Sequence, residues 1–265
     1  MDAQKQKKYI KYFWIFFFSP IALLTLLILG VSFFGELPSF EQLENPKSNL
    51  ASEVYSSDQV VLGKYYFENR SNVHYKDLSP NLINALKATE DIRFEEHSGV
   101  DIRGLFRVMF RTLLLRQSQA GGGSTITQQL AKNLFPRKKF ATSFDKATTK
   151  VKEWITAIKL EKNYTKEEIL AMYLNTVEFG SNSFGIKSAA RTFFNKTPKD
   201  LSVTESALLI GLLKAPSYYS PVKNPKNALL RRNVVLSQMK KYDFVTEEEF
   251  QKFINQPIDL QFRAE

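Results

Sequence analysis

Residues 12–34 (YFWIFFFSPIALLTLLILGVSFF) form an unbroken apolar run without a charged side chain, and a helix needs roughly 20 such residues to cross a bilayer. The pattern predicts a retained spanning helix. A cleaved leader has an apolar core of at most about 15 residues closed by small side chains, whereas this run ends in Phe33 and Phe34. Residues 35–50 are polar and marked by Pro38 and Pro46, which reads as a linker. The stretch 52–66 places β-branched and aromatic residues around a Ser-Ser-Asp turn, the pattern of a short β-hairpin. From Ser79 onward the signals are helical: Ser79-Pro80 and Asn224-Pro225 put proline at a first helical position. Thr165-x-x-Glu168, Ser202-x-x-Glu205 and Thr246-x-x-Glu249 are capping boxes. These five starts predict a mainly α protein. Its divisions are a tail (1–11), a transmembrane helix (12–34), a linker with the hairpin (35–75), a helical domain (76–245) and a C-terminal tail (246–265).

Four segments depart from plain amphipathic patterning. Leu82, Leu86, Glu90 and Phe94 recur every four residues, so Glu90 interrupts an apolar stripe. Partial desolvation there would raise its carboxyl pKa and suit it to proton transfer, although a structural ion pair would place a glutamate in the same way. Asp91 falls on a more polar face as a hydrogen-bonding neighbour. Three glycines, 121–123, then lead into Ser124, Thr125, Gln128, Gln129, Lys132 and Asn133. Free backbone N–H groups ahead of a helix that starts near Ser124 form a cradle for an anion such as phosphate. No Walker loop or G-x-G-x-x-G is present, and a simple glycine turn would look alike. Lys150 and Glu153 stand at i, i+3 near the start of a further helix. As an exposed pair they would contribute under about 1 kcal/mol. Finally, residues 105–117 interleave Phe106, Met109, Phe110, Leu113 and Leu114 with Arg107, Arg111 and Arg116. That composition suits a helix lying in a bilayer interface; core packing with snorkelling arginines is the alternative.

Charge and composition narrow the classes. The chain of 265 residues carries a net charge of +10, which directs it to anionic partners. Lys5, Lys7, Lys8 and Lys11 precede the apolar run and Glu36, Glu41 and Glu44 follow it, so the positive-inside rule puts the N-terminus in the cytoplasm and the domain outside. Residues 35–265 retain +7, and an exported basic domain argues against nucleic acid. Without cysteine, thiol nucleophiles, disulfide scaffolds and Cys-ligated zinc are excluded, and the two histidines, His74 and His97, leave little for a His-based metal site or a Ser/His triad.

Taken together, the segments resemble the peptidoglycan glycosyltransferase domain, glycosyltransferase family 51, of class A penicillin-binding proteins and monofunctional transglycosylases. Glu90-Asp91-x-x-Phe94-x-x-His97-x-Gly99-Val100-Asp101 is similar to the family's first motif, and GGSTITQQLAKN at 122–133 to its second. Lys150-x-x-Glu153 resembles the third, Ile169-x-x-x-Tyr173-Leu174-Asn175 through Gly180 the fourth, and Arg231-Arg232-Asn233-Val234-Val235-Leu236 the fifth.

The resemblance implies a lysozyme-like, two-lobe fold and polymerisation of lipid II on the outer face of the cytoplasmic (inner) membrane, with undecaprenyl diphosphate released and configuration inverted. Glu90 would be the general base and Glu153 the second catalytic glutamate. Asp91, Ser124, Thr125, Gln128, Gln129, Lys132, Asn133, Lys150 and Asn175 would bind substrate. Implied partners are lipid II, the growing glycan chain and membrane lipid, with moenomycin as inhibitor. The cell-wall synthesis proteins that would join them are not named by any sequence feature. No cofactor is required by the sequence, and the family leaves room for a divalent cation (Mg2+ or Mn2+). The third motif usually begins Arg-Lys, but here it is Thr149-Lys150, which removes a phosphate-facing cation that Arg137, Lys138, Lys139 or Lys146 would replace. Class A proteins continue into a transpeptidase domain, and residues 242–265 are expected to lead toward one, making the chain a fragment. A lytic glycosidase of lysozyme-like fold and an inactive membrane-tethered scaffold are the competing classes.

Overall fold

Helix α1 (Ala3–Phe34) covers the whole apolar run, with Pro20 inside it. Its side chains are almost all exposed, and the stretch Gln4–Phe33 is long and apolar enough to cross a membrane. Toward its C-terminal end Val31 is buried, and α1 lies against a long helix of the domain, α5 (Ser143–Asn163). The computed structural model describes residues 3–34, 52–55, 61–65, 73–113, 122–133 and 142–263; the expected linker at 35–50 lies outside them. The hairpin forms as expected: β1 (Ser52–Tyr55) pairs antiparallel with β2 (Val61–Tyr65), with an irregularity in register between Val54 and Tyr55.

All five expected helix starts are present, four of them with the side-chain cap that the sequence carries; at Asn224 the helix opens on Pro225 without a side-chain cap hydrogen bond. Ser79 accepts from the Asn81 N–H and opens α2 (Pro80–Glu90). Thr165 and Ser202 close full capping boxes at α6 (Lys166–Thr176) and α8 (Val203–Leu212), and Asn224-Pro225 opens α9 (Pro225–Lys241). Thr246 opens α10 (Glu247–Ile254). A further box, Thr142 with Asp145, starts α5 one turn and more ahead of Lys150; an aspartate at the third position does the work of the usual glutamate. The remaining helices are α3 (Ile102–Leu113), α4 (Ile126–Asn133) and α7 (Ile186–Phe194). Between α6 and α7 a small ribbon, β3 (Glu178–Gly180) and β4 (Ser183–Phe184), turns through Ser181 and Asn182, both at positive φ.

Helices α2, α8 and α9 pack on one another, and α4 packs against α5 and α6. The two groups share one buried cluster, in which Leu82, Leu86, Ile126, Leu130, Leu160, Ile169, Leu208 and Val235 are almost inaccessible. Phe94, the last member of the apolar stripe, reaches that core from a 3-10 turn beyond the helix. Residues after 245 pack on the same core through Phe250, Phe253, Ile258 and Leu260. Fully buried Arg232 on α9 donates to the carbonyls of Phe253 and Ile254 at the end of α10.

Candidate active site

Glu90 is the last residue of α2, because Asp91 leaves helical geometry (φ −160°, ψ 78°) and turns the chain into the loop 91–101. Glu90 is half-buried there. Its Oε2 accepts from Gln129 Nε2 at 2.8 Å, and Gln129 Oε1 accepts from the Tyr173 hydroxyl at 2.9 Å. Burial, then the charge on Glu90, push the Tyr173 phenol far above its ordinary pKa, so it remains an O–H donor. A fixed donor on the carbonyl side of Gln129 forces its amide nitrogen toward Glu90.

Asp91 is buried and acts inside the protein. Its Oδ2 accepts from the Ile126 N–H at 3.1 Å and bonds His97 Nε2 at 2.9 Å. The anion at the positive end of α4 is therefore this carboxylate, placed where the helix dipole favours it. His97 Nδ1 accepts from the Gly99 N–H at 3.2 Å, which leaves Nε2 as the protonated nitrogen. Gly99 has φ +93°, and a Cβ there would lie 2.7 Å from the Ala157 carbonyl carbon on α5. That close approach is what presents its carbonyl to Thr125 Oγ1 (2.7 Å) and Gln128 Nε2 (3.2 Å). Beside it, Arg93 pairs with Asp101. Burial pushes the Asp101 carboxyl up, but the Arg93 guanidinium and the Gly104 N–H outweigh it and hold the group below its usual range.

Lys150 ties the glycine-led segment to the second glutamate. Its Nζ donates to Ser124 Oγ (3.0 Å), Gln128 Oε1 (3.2 Å) and Glu153 Oε2 (2.9 Å). Glu153 is 6% exposed, so the pair is no surface ornament: breaking it would strand a buried charge. Lys132 and Asn133, at the end of α4, are exposed. Thr149 is half-buried, and Lys146 is exposed one turn before Lys150 on the same side of α5. Arg137, Lys138 and Lys139 lie outside the described residues.

Two adjoining pockets share Glu90, Ser124 and Gln129 in their walls. One also takes in Gln128, Lys132, Asn133, Glu153, Tyr173 and Glu178. The other takes in Asp91, Thr125, Arg107 and Lys241. Asn175 lines neither; its amide pairs with both backbone groups of Val73, at 3.0 and 2.9 Å. Tyr173, Glu178 and Lys241 line the pockets without having been singled out from sequence. Tyr173 and Glu178 both fall within the fourth motif without a role assigned to either, and nothing in the pattern around Lys241 distinguishes it. On α3, Ile102, Phe106 and Phe110 repeat every four residues and are more than half exposed. Leu114 and the side chains of Met109 and Leu113 lie outside the described residues. Among the described residues no group of three or more His, Asp and Glu side chains could hold a metal ion, and Glu153 is already paired with Lys150.

Residues 58–240 match the protein-family model described as Transglycosylase. The chain is 35% identical over 229 residues to penicillin-binding protein 1A of Pseudomonas aeruginosa, covering 86% of this chain and 27% of that protein. It is 34% identical over 266 residues to penicillin-binding protein 1A of Escherichia coli K12, covering 97% and 30%. With the Aquifex aeolicus penicillin-binding protein 1A the identity is 37% over 238 residues, covering 89% and 32%. The chain thus spans about a third or less of the length of these relatives. Among solved structures, penicillin-binding protein 1A from Haemophilus influenzae aligns with a TM-score of 0.47 at 24% identity, over 82% of this chain and 22% of that one.

Proposed function

The chain belongs to the transglycosylase family, the peptidoglycan glycosyltransferases, and from that premise we propose that it polymerises lipid II into β-1,4-linked glycan strands. The acceptor's GlcNAc 4-hydroxyl attacks the anomeric carbon of the donor MurNAc. The bond from that carbon to undecaprenyl diphosphate breaks, and configuration inverts. Glu90 takes the proton of the attacking hydroxyl.

The line from Tyr173 through Gln129 to Glu90 carries this reading. A donor fixed on Oε2 orients the carboxylate and, among the described residues, leaves Oε1 without a hydrogen-bond partner. A carboxylate so held is a proton acceptor in a pocket wall. Lys132, exposed in the same wall as Glu90, meets the leaving diphosphate, whose developing charge a preorganised cation stabilises. Ser124, Gln129 and Asn133 assist it. Lys150 and Glu153 keep Ser124 and Gln128 in place. Moenomycin, a phosphoglycolipid, competes for this pocket.

Helix α1 anchors the chain in the cytoplasmic membrane with its lysines inside, which leaves the basic domain on the outer side where lipid II is presented. The test is turnover of purified lipid II in detergent, with product lengths resolved. Glu90→Gln is expected to lose about 100- to 10,000-fold in rate, the usual cost of a missing general base. Retention of a tenth of wild-type turnover would remove Glu90 from that role. Soluble fragments released from intact cell-wall sacculi would indicate a lytic glycosidase instead.

A further inference from the structure

Lys166 breaks a local rule: it opens α6, where the helix dipole disfavours a cation. Its partners lie elsewhere in the fold. Nζ donates to the carbonyl of His97 at 2.6 Å, pairs with Glu161 Oε2 at 2.8 Å and sits 4.3 Å from the centroid of the Phe94 ring. The Glu161 side chain is 4% exposed, and its Oε1 accepts from Thr127 Oγ1 at 2.6 Å. Thr127 is fully buried on α4. One ion pair thus joins the loop that follows Glu90, the last turn of α5 and the helix that carries Gln128 and Gln129. His97 in turn bonds Asp91, which adjoins Glu90 in the chain. Neither Lys166 nor Glu161 lines either pocket of the site.

We propose that Glu161 and Lys166 are positioning residues for Glu90 and Gln129, a role that rests on Glu90 as the base of the reaction above. Removing the cation strands a buried carboxylate. That carboxylate relaxes toward water, taking the Thr127 contact and α4 with it, while the His97 carbonyl loses its donor. Both ends of the Gln129–Glu90 hydrogen bond then move. A misplacement of about 1 Å at a reacting group costs about 100-fold in rate.

The experiment compares kcat and KM for lipid II, with melting temperatures, in the full chain and its variants in detergent. Lys166→Met is expected to lower kcat by about 100-fold with KM little changed. Lys166→Arg, whose guanidinium still reaches a carbonyl and a carboxylate, is expected to recover most of that loss. Wild-type kcat in Lys166→Met, or equal losses in the two variants, overturns the proposal. Should Lys166→Met fail to fold, Glu161→Gln carries the same test with nearly unchanged shape: its kcat falls at constant KM, and an unchanged kcat overturns the proposal. A wild-type chain that leaves lipid II unpolymerised defeats the functional reading and the positioning role with it. An active wild type with equally active variants defeats positioning alone.

Discussion

Gln129 can present either its oxygen or its nitrogen to Glu90, and the Tyr173 hydroxyl makes the choice. Because burial and the neighbouring carboxylate keep that phenol protonated, the choice does not change over the working pH range. Tyr173→Phe removes the constraint and leaves Gln129 Oε1 without a donor. A lost buried hydrogen bond is worth about 1 kcal/mol, so lipid II turnover should fall roughly 5- to 10-fold with the melting temperature only slightly lowered. An unaltered rate would show that Gln129 is oriented by something else. Lys132 is the complementary case, an exposed cation in the pocket wall. Lys132→Ala should weaken moenomycin binding by about 1.5–3 kcal/mol, the range for hydrogen bonds to charged groups, which a calorimetric or fluorescence titration reads directly. Undiminished affinity would take Lys132 out of the cradle.

At the scale of elements, the site is an arrangement of ends. Glu90 closes α2, Asp91 caps α4, and the loop between Asp91 and Asp101 is pressed onto the middle of α5 through Gly99. The glycine is required twice over, by its positive φ and by the backbone of Ala157 at 2.7 Å from any added Cβ. Gly99→Ala must shift the loop off α5, which costs about 1–3 kcal/mol in strain alone and frees Thr125 and Gln128 from the carbonyl they share. The expected outcome is a lower melting temperature together with a loss of turnover larger than the stability loss explains. Full activity in Gly99→Ala would mean that Thr125 and Gln128 need no such anchor. The capping boxes play the opposite part: they fix where helices begin, and they sit on the surface away from the chemistry.

For the molecule as a whole, we propose two points of purchase on the membrane: helix α1, long and apolar enough to cross it, and Ile102, Phe106 and Phe110 on α3, each more than half exposed beside the exposed Arg107. A chain lacking residues 1–34 should still sediment with anionic vesicles. Phe106→Ser with Phe110→Ser in that truncated chain should release it, since buried apolar area contributes roughly 25 cal/mol per Å². If the truncated chain already stays in the supernatant, α3 makes no membrane contact of its own. Release of the double variant together with loss of lipid II turnover would mean that α3 also admits the substrate's lipid tail.

The sequence by itself determined what short-range physics controls. The long apolar helix α1 follows from uninterrupted hydropathy, and the helix starts follow from side chains that reach backbone N–H groups two or three residues ahead, as Ser79, Thr165, Ser202 and Thr246 do. Glu90, Gln129, Lys132 and Glu153 were legible because their segments resemble a family's motifs, and the structure brings them to one pocket. Tertiary structure alone decided their partners. Asp91 reads from sequence as a polar-face neighbour, yet it is buried as the cap of a helix that starts 35 residues later. Asn175 braces Val73, 102 residues away, and the residues after 245 are held by buried Arg232. Tyr173 reaches Gln129 across 44 residues, and Lys166 reaches His97 across 69. Side-chain periodicity and capping act within about one helical turn. Contacts across such separations depend on how the helices pack, and no local spacing encodes that.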